Sequence, residues 1–270
     1  MPPSAFSPVA GARCPAPGAR RLLPPPPNPT FTRPKTTTTR ILKRSPRYRQ
    51  HQTSTLSKHM TPDKLEELVR AIEVKDRSTA AHTYRVVLYL RALLEESGAD
   101  QETIRLATQG AALHDIGKLD IPDGILQKPD RLTADEFEVI QQHAVTGYAR
   151  MIDMDVEEEI ILDLVRYHHE RWDGEGYPFR VKADEIPVIA RQFAVIDTFD
   201  ALTSFRPYRE QVGPEAAEQA IIEIKNGSGT HFWPEAAEAF IDLYRRGNLD
   251  YILEHFNDAK APDRFSLNHD

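Results

Sequence analysis

Residues 101–118, QETIRLATQGAALHDIGK, predict a helix from about Gln101 to His114 that ends in an adjacent histidine and aspartate. Side chains that follow each other at a helix end can both turn toward one cavity. Imidazole nitrogen and carboxylate oxygen are common metal ligands, and the carboxylate of Asp115 can bridge two cations. The alternative is that His114 is a hydrogen-bonded core residue and that Asp115 begins a loop.

Helix signals on both sides of this stretch predict an all-α fold. Thr61-Pro62-Asp63 offers an N-cap, a proline suited to the first helical position and an acidic side chain at the positive helix end. Thr133 and Glu136 have the spacing of a capping box, which starts a helix predicted to run through about Tyr148. Further helices are predicted at about 79–97, 101–114, 156–169 and 187–203, and from Pro214 and Pro234. No segment alternates like a strand, so residues 60–270 are predicted to form a single all-α bundle of about eight or more helices.

The first 59 residues differ in composition from the rest of the chain. They contain eleven of the 34 Lys and Arg residues, twelve of the 21 prolines, and no Asp or Glu. Such a segment cannot bury enough apolar surface to offset its ordering entropy, so residues 1–59 are predicted to be a disordered tail. The alternative is that the start is mis-assigned and that Met60 is the first residue.

The charge and composition of the remaining residues argue against several classes of protein. With 23 basic and 41 acidic side chains, they lack the basic footprint of a general nucleic-acid-binding protein. A phosphate ligand is still compatible with this charge, because metal ions can invert the local field. No apolar run approaches the roughly 18–20 residues of a membrane span. The single cysteine, Cys14, excludes a disulfide framework and favours a reducing compartment, so a cytoplasmic location is expected.

Four further histidines and a second aspartate lie on apolar helix faces. His82 and His143 each share a face with apolar residues one turn away, and His168 and His169 form a second cluster. Asp197 follows the apolar run FAVI, where a lone carboxylate is costly to bury. Together with the first His-Asp pair, these side chains need partners, and a bound metal ion can satisfy several of them at once. The alternative is that each side chain finds a separate hydrogen bond.

Residues 114–118 and 121–126, His143, and residues 168–178 (HHERWDGEGYP) form a combined pattern that is far more specific than His-Asp alone. The pattern resembles the HD-GYP family, which is the cyclic-di-GMP phosphodiesterase branch of the HD metal-dependent phosphohydrolases. Residues 197–204 and 206–208 continue the resemblance, which spans most of the chain beyond the tail. It implies an HD-domain helical bundle that hydrolyses cyclic-di-GMP to linear pGpG, to GMP or to both.

The resemblance also implies two divalent metal ions, with mixed imidazole and carboxylate ligands that suit iron or manganese. The ligands to the first ion would be His82, His114, Asp115 and Asp197. Asp115 would bridge to the second ion, whose other ligands would be His143, His168 and His169. Some family members hold a third ion with a Glu four residues before the first histidine. This chain has Ser78 there, and Asp76 is expected to point elsewhere unless the helix start is bent, so two ions are expected.

The same resemblance implies the contacts to the substrate. Lys118 would contact the scissile phosphate, and Gly176, Tyr177 and Pro178 would form the signature loop beside the site. Arg206 and Arg209 would bind the nucleotide phosphates. The alternative for these two arginines is a solvated turn.

The sequence departs from the family in the signature loop. After Pro178 the family usually has Gly-Leu and then another Gly, whereas residues 179–183 are FRVKA. The loop thus loses glycine freedom and gains two positive charges, which bears on the choice of dinucleotide more than on catalysis. Glu170 and Asp173, in the same segment, either orient the metal ligands or cap the turn.

Two alternative functions stay open at this point. The first is an HD phosphohydrolase that acts on another nucleotide, such as a different cyclic dinucleotide, and the second is a non-catalytic nucleotide-binding or protein-interaction module. All seven ligand positions and Lys118 are present, which favours an enzyme. The expected partners are a cyclic dinucleotide substrate, a protein with a diguanylate cyclase (GGDEF) domain, and a second copy of the chain in a homodimer.

Overall fold

Eleven α-helices run through the residues that the computed structural model describes, which are 60–76, 80–204 and 214–256. In chain order these helices are α1 (Pro62–Lys75), α2 (Ala80–Glu96), α3 (Gln101–Leu113), α4 (Asp123–Leu126), α5 (Ala134–Gln141), α6 (His143–Asp153), α7 (Glu159–Tyr167), α8 (Val188–Thr203), α9 (Pro214–Gly227), α10 (Pro234–Arg245) and α11 (Asp250–His255). Two 3₁₀ turns, Ile116–Asp120 and Ala183–Glu185, lie between helices. The only extended pairing in the described ranges is one isolated bridge between Ser228 and Phe232. The all-α prediction is confirmed, while the predicted tail lies outside the described residues.

The predicted helix starts are confirmed by their hydrogen bonds. The Thr61 hydroxyl accepts a bond from the backbone N–H of Lys64, and Pro62 takes the first helical position. At α5 the N–H of Glu136 donates to Thr133 Oγ1 over 3.2 Å, and the N–H of Thr133 donates to Glu136 Oε2 over 2.7 Å. A cap of this kind contributes about 1 kcal/mol, because it gives partners to backbone donors that the helix leaves unpaired.

The prediction of one continuous helix from the capping box to Tyr148 is wrong. The helix is interrupted at Gln142, whose N–H donates to the carbonyl of Val139, and α6 then begins at His143. The break lies beside a tertiary contact, since a Cβ on Gly117 would collide with the carbonyl oxygen of His143. Only a glycine lets the 3₁₀ turn after α3 approach the start of α6 this closely. This approach brings His143 next to the end of α3.

Helices α2, α3 and α8 supply much of the core and carry site residues at its edge. On α2, Val86, Tyr89 and Leu90 are fully buried, and on α8 Phe193 and Phe199 are fully buried. The Tyr89 ring packs edge-on against that of Phe199, with centroids 5.4 Å apart. Burying each large apolar side chain contributes about 1.5–3 kcal/mol, so these helices form a rigid base for the polar residues at their ends. None of the described helices combines the length and the apolar character needed to cross a bilayer.

Candidate metal centre

Six side chains form two groups of three, and within each group the atoms that could ligate a metal ion face one another. Within each group the ligating atoms all lie within 4.8 Å of one another. The first group comes from α2, the C-cap of α3, and α8; its members are His82, His114 and Asp197. The second comes from the start of α6 and the end of α7; its members are His143, His168 and His169. The structure therefore brings together six of the seven predicted ligands in two groups.

The second group can bind a cation because two of its histidines carry their proton on Nδ1 and leave Nε2 free to bind a metal ion. The Nδ1 atom of His143 lies 2.7 Å from the carbonyl oxygen of Ile140, and that of His168 lies 3.0 Å from the carbonyl oxygen of Val165. A carbonyl only accepts, so each Nδ1 carries the proton and each Nε2 keeps its lone pair. The two Nε2 atoms nevertheless face each other at 3.1 Å. Two facing lone pairs repel unless a cation lies between or beside them, so this donor set fits a metal ion.

Burial keeps the histidines of this second group neutral, the form in which imidazole binds a metal ion. It lowers the pKa of His143, and it lowers the pKa values of His168 and His169 further, with the neighbouring imidazoles adding to the effect. In the first group, the Nε2 atoms of His82 and His114 are 3.2 Å apart. Burial opposes protonation of His114, but the Asp115 and Asp197 carboxylates outweigh it and raise its pKa. The two carboxylates therefore favour the protonated form of the His114 ring.

Asp115, the seventh predicted ligand, lies between the two groups. Its Oδ2 is 3.3 Å from His114 Nε2 in the first group, and its Oδ1 is 3.5 Å from His143 Nε2 in the second. Burial disfavours its charged form, but Lys118 and His114 outweigh burial and hold its pKa well below the usual range. The carboxylate is therefore ionised and directs one oxygen to each group.

Lys118 projects into the same place from the 3₁₀ turn that follows α3. Its Nζ lies 2.7 Å from Asp115 Oδ2 and 3.0 Å from Asp76 Oδ2. Burial works against the ammonium charge, but the Asp115 and Asp76 carboxylates outweigh it and raise the pKa of Lys118. The expectation that Asp76 points elsewhere is wrong, because α1 ends at Lys75 and Asp76 turns toward Lys118 as the helix cap. Ser78 lies outside the described residues.

A second aspartate on α8, which the sequence analysis left without a role, holds His82 in place. Asp200 is 1% exposed, and its Oδ2 lies 2.8 Å from His82 Nδ1. The same carboxylate accepts bonds from the guanidinium of Arg85 and from the hydroxyl of Ser204. Burial would raise the pKa of Asp200, but the His82 and Arg85 contacts outweigh it and lower the pKa. Asp200 thus directs the Nε2 lone pair of His82 into the first group.

The signature loop lies directly on the second group. The ring of Tyr177 stacks on His169 with centroids 4.6 Å apart, and its backbone N–H donates to the carbonyl of His169 over 3.2 Å. A Cβ on Gly176 would lie 2.6 Å from the same carbonyl oxygen, so only glycine lets the loop approach so closely. Burial raises the pKa of Tyr177, and its phenol stays neutral. The peptide bond between Tyr177 and Pro178 is cis.

The geometry of Glu170 and Asp173 favours the turn-capping alternative. Glu170 Oε1 accepts bonds from the backbone N–H groups of Phe179 (2.7 Å) and Arg180 (3.2 Å), and Asp173 Oδ1 accepts from the N–H of Glu175 over 3.0 Å. Arg180 and Ala183 have φ angles of 56° and 49°, so both adopt the left-handed conformation that glycine favours. The loop thus uses a glycine-like backbone without glycine at these two positions. Arg206 and Arg209 lie outside the described residues.

The chain is similar to known proteins along most of its length. The HD domain family model matches residues 40–235. The cyclic di-GMP phosphodiesterase of Thermotoga maritima is 40% identical over 191 residues, which cover 67% of this chain and 51% of that protein. The cyclic di-GMP phosphodiesterase response regulator RpfG of Xanthomonas campestris is 37% identical over 198 residues, covering 73% and 51%. The 3'3'-cGAMP-specific phosphodiesterase 2 of Vibrio cholerae is 35% identical over 177 residues, covering 65% and 33%. The chain thus spans about half or less of the length of these relatives.

Two solved structures share the fold at low sequence identity. A cyclic GMP-AMP-specific phosphodiesterase of Vibrio cholerae, V-cGAP3, has a TM-score of 0.53 at 17% identity and covers 78% of this chain and 56% of its own. The HD domain of the phosphodiesterase PgpH from Listeria monocytogenes has a TM-score of 0.51 at 20% identity, covering 68% and 98%. These likenesses confirm the helical architecture. The chain therefore belongs to the HD domain family, and the predicted likeness to HD-GYP proteins is confirmed.

Proposed function

We propose that this chain is a metal-dependent phosphodiesterase that hydrolyses cyclic di-GMP to linear pGpG, to GMP or to both. The observation that carries the proposal is the pair of ligand groups with the ionised Asp115 between them. Relatives named as cyclic di-GMP phosphodiesterases support it at 37–40% identity. A catalytically degenerate binding module would be expected to have lost part of this ligand set.

We assign the first ion to His82, His114, Asp115 and Asp197, and the second to Asp115, His143, His168 and His169. Imidazole and carboxylate together favour iron or manganese. When bound, the two cations supply Lewis-acid charge that polarises the phosphate and activates the attacking water. The facing Nε2 atoms of His143 and His168 support this assignment.

The side chains of this protein position the reaction around that charge. Lys118 keeps its proton, because two carboxylates lie within 3.0 Å of its Nζ. Its ammonium group stabilises the negative charge that builds up on the phosphate oxygens during attack. Tyr177 covers one face of His169 and excludes water from it. Arg206 and Arg209 are proposed to bind the other phosphate of the substrate.

A second candidate substrate is 3'3'-cGAMP, because a relative named for this activity is 35% identical over 177 residues. The FRVKA segment after Pro178 departs from the usual glycine-containing loop at the edge of the site. This difference can change which cyclic dinucleotide the chain prefers. Both substrates present the same phosphodiester to the two ligand groups, so the reaction is the same for either.

Product analysis tests the proposal. Purified protein loaded with manganese or iron is incubated with cyclic di-GMP and, separately, with 3'3'-cGAMP, and the products are separated by chromatography. We expect a linear dinucleotide or mononucleotides from at least one substrate. Binding of both substrates without any product would favour the non-catalytic module instead.

A GGDEF-domain partner, a homodimer and a cytoplasmic location are further proposals, which rest on the sequence resemblance and on the single cysteine. Co-purification with a GGDEF-domain protein and sedimentation of the purified chain test the first two. Fractionation of cells tests the third.

A further inference from the structure

Helix α5 lies beside the metal centre without contributing to the core. None of its eight residues is buried, yet it carries Phe137, which is 46% exposed, and Val139, which is 37% exposed. Polar contacts at its N-terminal end hold the helix instead. These are the capping box of Thr133 and Glu136, and an ion pair in which Lys128 Nζ lies 2.6 Å from Glu136 Oε2. Phe137 and Val139 are therefore exposed to solvent beside the proposed metal ligands.

The ring of Phe137 belongs to a row of aromatic rings that leads to the second ligand group. Its centroid lies 6.3 Å from that of Tyr177, with the two planes at 77°. Tyr177 in turn stacks on His169 at 4.6 Å and lies 6.4 Å from His143. Phe137 is therefore only two ring-to-ring steps from the proposed metal ligands, while nearly half of it faces solvent.

Two other aromatic rings near the signature loop, Tyr177 and Phe179, each have one face covered. Tyr177 has one face against His169. Phe179 is 38% exposed, but the guanidinium of Arg166 lies over its ring, 4.6 Å from the centroid. Phe137 is met by Tyr177 at an edge-on angle, which leaves a flat face for stacking.

We propose that Phe137 is a stacking platform for one purine base of the cyclic dinucleotide, an inference that rests on the proposed function. A substrate whose phosphate lies at the ligand groups carries a base on a ribose beside that phosphate. Stacking of a base on an aromatic side chain contributes about 1–3 kcal/mol and tolerates different bases, because every base has a π-face. Phe137 thus contributes affinity for guanine and adenine dinucleotides alike, and other residues discriminate between them.

The test compares substrates with and without bases in the manganese-loaded full chain. The values of kcat/KM are measured for cyclic di-GMP, for 3'3'-cGAMP and for methyl p-nitrophenyl phosphate, a chromogenic diester that has no base. The variants are Phe137→Ala, Phe137→Leu, Phe137→Tyr and the control Val139→Ala. Val139 is on the same helix but about 200° around it from Phe137, so it points to a different side.

Phe137→Ala should lower the preference for a hydrolysed cyclic dinucleotide over the chromogenic diester by roughly 5- to 150-fold, mainly through KM. Phe137→Tyr should keep the preference, and Phe137→Leu should lose most of it. An equal loss of rate on all substrates would indicate a packing role and would overturn the inference, as would full retention by leucine. A wild type that cleaves the chromogenic diester but neither cyclic dinucleotide refutes the proposed function. If the wild type and Phe137→Ala cleave a cyclic dinucleotide with the same preference over the chromogenic diester, only the role of Phe137 is refuted.

Discussion

Replacing Asp200 with asparagine should both destabilise the metal-free protein and weaken its first ligand group. Asp200 is 1% exposed and Arg85 is 4% exposed, so the substitution removes one charged partner of a buried ion pair. Removing one partner of a buried ion pair costs about 3–5 kcal/mol. Because His82 loses the carboxylate that orients its Nδ1–H, metal affinity at the first group should fall about 10- to 100-fold.

Urea unfolding in the presence of a chelator measures the first effect, and titration with manganese measures the second. Asp120→Asn is the matched control, because Asp120 pairs with Arg150 at the surface, where an ion pair contributes only about 0–1 kcal/mol. If Asp200→Asn does not fold, Ser204→Ala removes a donor to the same carboxylate and an acceptor for the Arg85 guanidinium, and it should cost about 1–3 kcal/mol. A loss below about 1 kcal/mol for Asp200→Asn, with unchanged metal affinity, would show that Asp200 neither stabilises the fold nor orients His82.

Three further predictions follow from the site and from the chain before it. Asp115→Ala should abolish hydrolysis and lower the metal content, whereas Lys118→Ala should lose rate and keep its metal, because Lys118 stabilises charge and does not ligate; metal loss in the lysine variant would contradict the assignment. A chain that starts at Met60 should match the full chain in activity and melting temperature, since the proposed ligands all follow Met60; a large fall in either would show that residues 1–59 contribute. In the metal-free protein, burial lowers the pKa values of His143, His168 and His169, so unfolding takes up protons below their usual pKa of 6.5 and the free energy of unfolding should fall from pH 7 to pH 5.5. The raised pKa values of His114 and Glu170 oppose this trend, while the pKa of His231, lowered by burial, adds to it; equal or greater stability at pH 5.5 would be the contrary result.

Local signals were sufficient to predict where several helices begin. The N-cap of Thr61 and the capping box of Thr133 and Glu136 involve residues three positions apart, so the sequence alone contains the whole interaction. The break at Gln142 is different, because it lies where the backbone of Gly117 packs against His143, which is 26 residues further along the chain. No periodicity within residues 133–148 encodes that contact.

The ligand groups could be predicted because histidines and carboxylates on apolar faces need partners. The same argument applies to Asp200, which lies one turn after Asp197 on α8 and is buried, so the signal was present but was not used. Its partner Arg85 lies one turn after His82 on α2. The pairing of α2 with α8 is a tertiary fact, and therefore the bond between Asp200 and His82 could not be read from either helix alone. The turn of Asp76 toward Lys118 depends likewise on where α1 ends.

The most direct test of the proposed two-ion site is the metal dependence of hydrolysis in chelator-stripped protein. Manganese is added back in known ratios while cleavage of cyclic di-GMP and bound metal are measured on the same samples. We expect no turnover without metal and a plateau of activity at about two ions per chain, because both ligand groups must be filled for the phosphate to be held and attacked. Full turnover by the stripped protein, a plateau at three ions, or two bound ions without any cleavage of a cyclic dinucleotide would contradict this expectation.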